Sequence, residues 1–171
     1  MMNIIKKIGI GLVTSIVTLI LAIVAISMFN ANVSGEGYFH NRGNGLVVAM
    51  MVLAIIMLII TMVVPFFEIK NKLIKTIVDV VIDVLRVLIP IFIIIGLIAF
   101  AGDRVEGLAY IYGSNEDAQQ EVQTAANLAS GSLAINGLIM FGVTAVVAII
   151  SSFFGISREA KVENKKVTTN A

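Results

Sequence analysis

The chain has 171 residues, of which 58% are hydrophobic and 13% charged, with a formal net charge of +1 and a mean hydropathy of +1.01. A soluble domain of this length has too little interior to hide that much apolar surface, so the composition points to a lipid bilayer as its solvent. The small charge, with no basic patch interleaved with aromatics, excludes nucleic acid as a partner, and zero cysteines with a single histidine, His40, exclude disulfides, thiolate metal sites and multi-histidine metal or haem sites, so neither metal nor cofactor is expected.

An α-helix needs ~20 apolar residues to cross a hydrocarbon core of ~30 Å. The first stretch that qualifies covers about residues 8–29, preceded by Lys6 and Lys7, with Thr14, Ser15, Thr18 and Ser27 able to bond back to the helix's own carbonyls. It outruns the ~7–15 apolar residues of a signal peptide, so it is expected to stay as a membrane helix. Residues 30–45 are rich in Gly and Asn, show no helical periodicity and read as a turn-rich outer loop. A second uncharged span follows over 46–67, with Pro65 bending its last turn.

Residues 68–79 form a short basic inner loop. A helix is expected to start near Leu73, cross the membrane over 80–101 and kink between Arg86 and Pro90. Residues 102–132 form the larger outer loop. There Ser114 and Asp117 have capping-box spacing, and the helix formers that follow predict a short solvated helix from about Asn115 to Ala129, stopping near Ser130 and Gly131. The fourth span covers 133–156, and residues 157–171 make a polar tail. The expected fold is therefore an all-α integral membrane protein, a single domain built as a four-transmembrane-helix bundle with a short extra helix in the second outer loop.

Ten of the twelve basic residues flank one side of these spans: Lys6, Lys7, Lys70, Lys72, Lys75, Arg86, Arg158, Lys161, Lys165 and Lys166. Only Arg42 and Arg104 lie on the other, where the larger loop also carries Asp103, Glu106, Glu116, Asp117 and Glu121. The positive-inside rule then places both termini in the cytoplasm of a cell membrane.

One constellation stands out in the third span. Asp79, Asp83, Arg86 and Pro90 are spaced by four, three and four residues, so they share one narrow helical stripe, extended by Lys72 and Lys75. The uncharged part from Val87 to Ala101 spans about 22 Å, which falls short of a bilayer and draws Arg86 into its inner edge. Either Arg86 snorkels to the headgroups and pairs with Asp83, or the stripe faces the bundle interior or a partner subunit, where it would serve protein contact or an ion path. The other spans are uncharged, which weighs against a conduction path through one chain.

Weaker signals are Gly131, Gly137 and Gly142 with Ser151 and Ser152, suited to close helix packing; Met50, Met51, Met57 and Met62 as apolar fillers; and Tyr38, Phe39, Tyr110 and Tyr112 as an outer aromatic belt. Asn32-Val33-Ser34 fits a glycosylation acceptor but sits against the membrane. No paired acid with histidine, G-x-S-x-G, P-loop or HExxH occurs, so no enzyme is expected. The order of outer loop, short inner loop, larger outer loop and inner tail resembles tetraspan families such as claudins in topology alone, since the tryptophan and the cysteine pair of that family have no counterpart here. Small multidrug transporters also have four spans, but their first-helix acid has no equivalent in residues 8–29. The sequence is best read as a non-enzymatic membrane subunit or scaffold. Such a chain associates with other membrane proteins, or with itself, through helix faces and the acidic outer loop. A small oligomeric transporter or channel using the charged stripe is the alternative, and a holin-like lesion former a third.

Overall fold

The computed structural model describes residues 9–67, 69–113, 115 and 120–154. Four long helices dominate: α1 (Ile10–Ser34), α2 (Gly45–Val63, continued by a 3-10 turn over Val64–Phe66), α3 (Lys72–Gly113) and α4 (Ala125–Ser152). All four are long and apolar enough to cross a membrane, and no strand occurs among the described residues. They form a ring in which α1 packs on α4, α4 on α3 and α3 on α2, with a lighter α1–α2 contact closing it.

The packing follows from residue spacing. Gly11, Ser15, Thr18, Ala22, Ala25, Phe29 and Asn32 are the buried positions of α1, alternating steps of four and three. Val47, Met51, Ala54, Leu58 and Thr61 on α2 repeat the pattern, and so do Ser130, Ala134, Gly137, Phe141, Thr144, Ala148 and Ser151 on α4. A 3.5-residue period keeps one seam facing its neighbours along a left-handed supercoil, as in coiled coils and most helical bundles. The seams of α1 and α4 are mostly Gly, Ala, Ser and Thr, which lets these backbones come close where lipid-like surroundings give no hydrophobic drive for helices to associate. Phe29, Phe100 and Phe141 fill the space that remains, with ring centroids 5.0 Å (Phe29–Phe100) and 5.4 Å (Phe100–Phe141) apart. Gly137 admits the Phe100 ring, since a Cβ there would lie 2.9 Å from it.

Several helix ends differ from the expectation. α1 continues past Phe29 to Ser34, because Asn32 is buried in a hydrogen-bonded cluster rather than solvated in a loop. Asn32 therefore has no amide free for a glycan. α3 does not stop at Ala101 but runs 42 residues to Gly113, about 63 Å at 1.5 Å per residue. Tertiary contacts hold the added turns: Arg104, Gly107 and Ile111 are all buried, and Gly107 lies under the rings of Tyr38 and Phe39. α3 also remains helical through Pro90, which is buried.

Within the larger loop, Ser114 and residues 116–119, which hold most of the expected capping box, lie outside the described residues; 120–122 are helical. The chain breaks at Gln123 and Thr124, and α4 begins at Ala125 without stopping at Ser130 and Gly131. Thr124 caps it by accepting a bond from the Asn127 N–H, and Gln123 donates to the Ile111 carbonyl. Gly131 is kept small by the Tyr112 hydroxyl, which a Cβ would meet at 2.9 Å. Pro65 ends α2 in the 3-10 turn, as its missing N–H demands.

Candidate functional site

The expected stripe divides on folding. Asp79 and Asp83 are exposed on the flank of α3, Pro90 is buried, and Arg86 lies between, its side chain 17% exposed. Arg86 Nη1 donates to Asp83 Oδ1 at 3.3 Å, while the Asp83 side chain stays 73% exposed. The stripe thus does not face the bundle interior as a unit; Arg86 and Pro90 turn inward, and the two acids do not.

Where Arg86 turns in, it helps to line a recess of about 10 Å³ with Ser15 of α1, Thr61 of α2, and Ser151 and Ser152 of α4, floored by Leu58, Ile89 and Ala148. All four helices contribute. The Ser151 hydroxyl lies 3.1 Å from those of both Thr14 and Ser15, whereas Thr61 and Ser152 donate to their own helices at Leu58 and Ile149 carbonyls. The volume suits one water molecule.

Relative to this recess the helices are unequal. α3 runs back fourteen residues from Arg86 to Lys72, whereas α1 runs five from Ser15 to Ile10 and α2 with its turn five from Thr61 to Phe66. About nine residues of α3, about 13 Å, therefore stand beyond the other described helices. Leu73, Ile74, Ile77, Val80 and Val81 on this overhang are all exposed, as are Lys72, Lys75 and Asp79. A shallow groove lined by Val80, Asp83, Val84, Val87 and Leu88 runs along the same helix.

Above the recess the interior is closed and mostly apolar, its buried Thr18 and Thr144 each donating to a carbonyl of their own helix. Ala22, Ala25, Met51, Ala54, Ile93, Phe100, Phe141 and Ala145 form one packed cluster drawn from every helix.

At the opposite end lies a polar centre that sequence reasoning missed. Arg104 is 1% exposed. Its Nε donates to Asn32 Oδ1 at 2.9 Å and its Nη2 to the Arg42 carbonyl at 2.8 Å. Asn32 Nδ2 in turn donates to the Ser130 carbonyl at 2.8 Å, and the Ser130 hydroxyl accepts the Phe39 N–H at 3.2 Å. The guanidinium sits 4.6 Å from the Phe39 ring centroid, 5.4 Å from Phe100 and 5.6 Å from Phe29, so aromatic faces replace the carboxylate a buried cation ordinarily has. Next to it Asp103 accepts a bond from Asn44, whose side-chain oxygen caps α2 at the Leu46 N–H. The cluster ties α1, α3, α4 and the 35–44 loop together. Arg104 is eighteen residues from Arg86, five turns at 3.6 residues per turn, so both arginines lie on one face of α3, about 27 Å apart. That spacing was the signal available in the sequence.

Of the aromatic belt, Phe39 is buried against Arg104 and Ile111, while Tyr110 and Tyr112 are exposed. His40 is exposed in the loop, its Nδ1 2.9 Å from the Gly35 carbonyl and its Nε2 2.9 Å from Asn41 Nδ2.

No family model matches the sequence, and searches of curated proteins and of solved structures return no match.

Proposed function

We infer that the chain is a non-enzymatic, multi-pass membrane subunit that associates with other membrane proteins, with both termini on the cytoplasmic side. One observation carries this reading. The helix that runs beyond the other described helices bears two acids, Asp79 and Asp83, on its exposed surface, while the middle of the bundle is filled mainly by apolar side chains. A path for ions through one chain would instead have polar groups from several helices meeting at mid-depth. Here, among the described residues, hydrogen bonds between polar side chains of different helices occur at the two ends, around Ser151 beside Arg86 and around Arg104. The exposed Leu73, Ile74, Ile77, Val80 and Val81 beside the acids offer a surface of the kind that obligate subunits cover.

The test is purification of the full chain from its native membrane in a mild detergent, followed by native mass spectrometry. A stoichiometric partner that is lost in the Asp79→Asn/Asp83→Asn variant is the expected result. A chain that runs alone under every condition overturns the reading. The outward position of Asp79 and Asp83 also favours a second reading, a transporter whose path lies between copies of the chain at a symmetry axis. Flux in liposomes that Asp83→Asn leaves unchanged removes it.

A further inference from the structure

We propose that Arg86 binds the phosphate of an anionic phospholipid from the leaflet on the lysine-rich side, with the headgroup seated at the mouth of the recess between Ser15, Thr61 and Ser151. The inference rests on the membrane placement proposed above, but on no protein partner.

Arg86 carries five N–H donors and, among the described residues, uses one in a hydrogen bond, a long one of 3.3 Å to an acid that is itself 73% exposed. None of its nitrogens is buried without a partner, so the remaining donors are accessible beside the recess that Arg86 lines. A guanidinium in that state is matched by the planar pair of oxygens that a phosphate presents, which it binds bidentately and more strongly than it binds water. The site lies at headgroup depth. From Arg86, about 27 Å of α3 leads to Arg104, close to a hydrocarbon thickness.

The recess itself, at about 10 Å³, admits one water or one phosphoryl oxygen but no whole anion, so the rest of the headgroup must lie outside, in the layer where lipids supply it. Lys70, Lys72 and Lys75 are exposed at this end and favour a net negative headgroup over a zwitterionic one. Asp83 is the competitor for the same guanidinium, so the ligand displaces a weak ion pair.

The experiment uses the full chain, delipidated in dodecyl maltoside and titrated with phosphatidylglycerol, phosphatidylcholine or inorganic phosphate, with bound lipid counted by native mass spectrometry and Tm followed in parallel. Phosphatidylglycerol is expected to bind saturably and raise Tm, whereas phosphatidylcholine and inorganic phosphate do not. Arg86→Gln weakens phosphatidylglycerol by about tenfold or more, the loss of one or two charged hydrogen bonds. Arg86→Lys retains part of the binding, and Asp83→Asn, at an exposed position that leaves the fold intact, strengthens it. Arg42→Gln, an arginine at the far end, leaves it unchanged.

The proposal is overturned if the wild type shows no saturable lipid binding. Equal response to phosphatidylcholine removes the anionic preference that defines it, and a response to inorganic phosphate alone removes the lipid as source. Should Arg86→Gln fail to fold, unchanged or weaker binding by Asp83→Asn overturns it equally.

Discussion

The Arg104 centre allows a sharp test, because a buried cation that hydrogen-bonds to no carboxylate among the described residues depends on each neutral acceptor it has. Replacing Asn32 by Leu, similar in size, removes the 2.9 Å bond from Arg104 Nε and the 2.8 Å bond to the Ser130 carbonyl together. The first loss strands a guanidinium N–H at a side chain that is 1% exposed; the second removes one of two bonds to the Ser130 carbonyl, which keeps its place in the α4 ladder. Hydrogen bonds to charged groups contribute about 1.5–3 kcal/mol and neutral ones about 1 kcal/mol, so Asn32→Leu costs about 2.5–4 kcal/mol. Arg104→Met leaves Asn32 Oδ1 and the Arg42 carbonyl without donors but also removes the cost of burying the ion, which limits its loss to about 2–4 kcal/mol. Once the cation is gone, Asn32 no longer serves it. The double variant therefore falls short of the sum of the single losses by about 2 kcal/mol, within the range measured for groups in direct contact. Reversible unfolding in mixed micelles, titrating a denaturing detergent and following circular dichroism, yields the four free energies. If the losses add to within about 0.5 kcal/mol, Arg104 and Asn32 are not energetically joined and the account of this cluster is wrong.

Three further outcomes follow from packing. Gly107→Ala places a Cβ 2.4 Å from the Phe39 ring and 2.5 Å from the Tyr38 ring, and is expected to cost about 1–3 kcal/mol, whereas Gly102→Ala on the same helix meets nothing within 4 Å and should be neutral or stabilising by up to about 1 kcal/mol; paired thermal melts decide. Met51→Ala, at a fully buried position among all four helices, should lose about 2–5 kcal/mol in the same unfolding titration, and a loss under about 1 kcal/mol would mean that the core collapses around the cavity. Gly37→Ala is strained twice, by its φ of +102° and by the Ala126 carbonyl oxygen 2.4 Å from the new Cβ, and should speed amide exchange in the 35–41 turn, which Gly45→Ala, in open space, would not.

The existence of four long apolar helices was legible because one physical quantity, the length of uncharged apolar chain, nearly determines it. Helix ends were not. α3 passes Ala101 and α4 starts at Ala125 because Gly107 fits beneath Phe39 and Thr124 caps Asn127, and neither contact has a trace in local composition. The seam of α1 was written in the sequence as Gly11, Ser15, Thr18, Ala22 and Ala25, but a small residue at a 3.5-residue interval is inconspicuous where every neighbour is apolar. Arg104 reads as solvated for a different reason. Asp103 and Glu106 make its surroundings polar along the chain, while most of the groups that enclose it, Phe29, Asn32, Phe39 and the Arg42 carbonyl, come from far away in the sequence. Of the stripe, the shared face of Asp79, Asp83 and Arg86 was legible. Which way that face turned was not, since it depends on where α1, α2 and α4 end.

The two arginines of α3 also have a consequence for the lipid around the protein. In a bilayer they act as a fixed ruler. A film much thicker than their separation would have to drag Arg86 into oil or pull Arg104 from its aromatic cage, and a much thinner one would wet the exposed isoleucines and valines between them. Tilting relieves only part of either mismatch, because the ring of four helices tilts as one body. On the membrane placement proposed above, the chain suits one membrane thickness, and its stability in synthetic bilayers of graded acyl length should peak where the oily layer matches that rise.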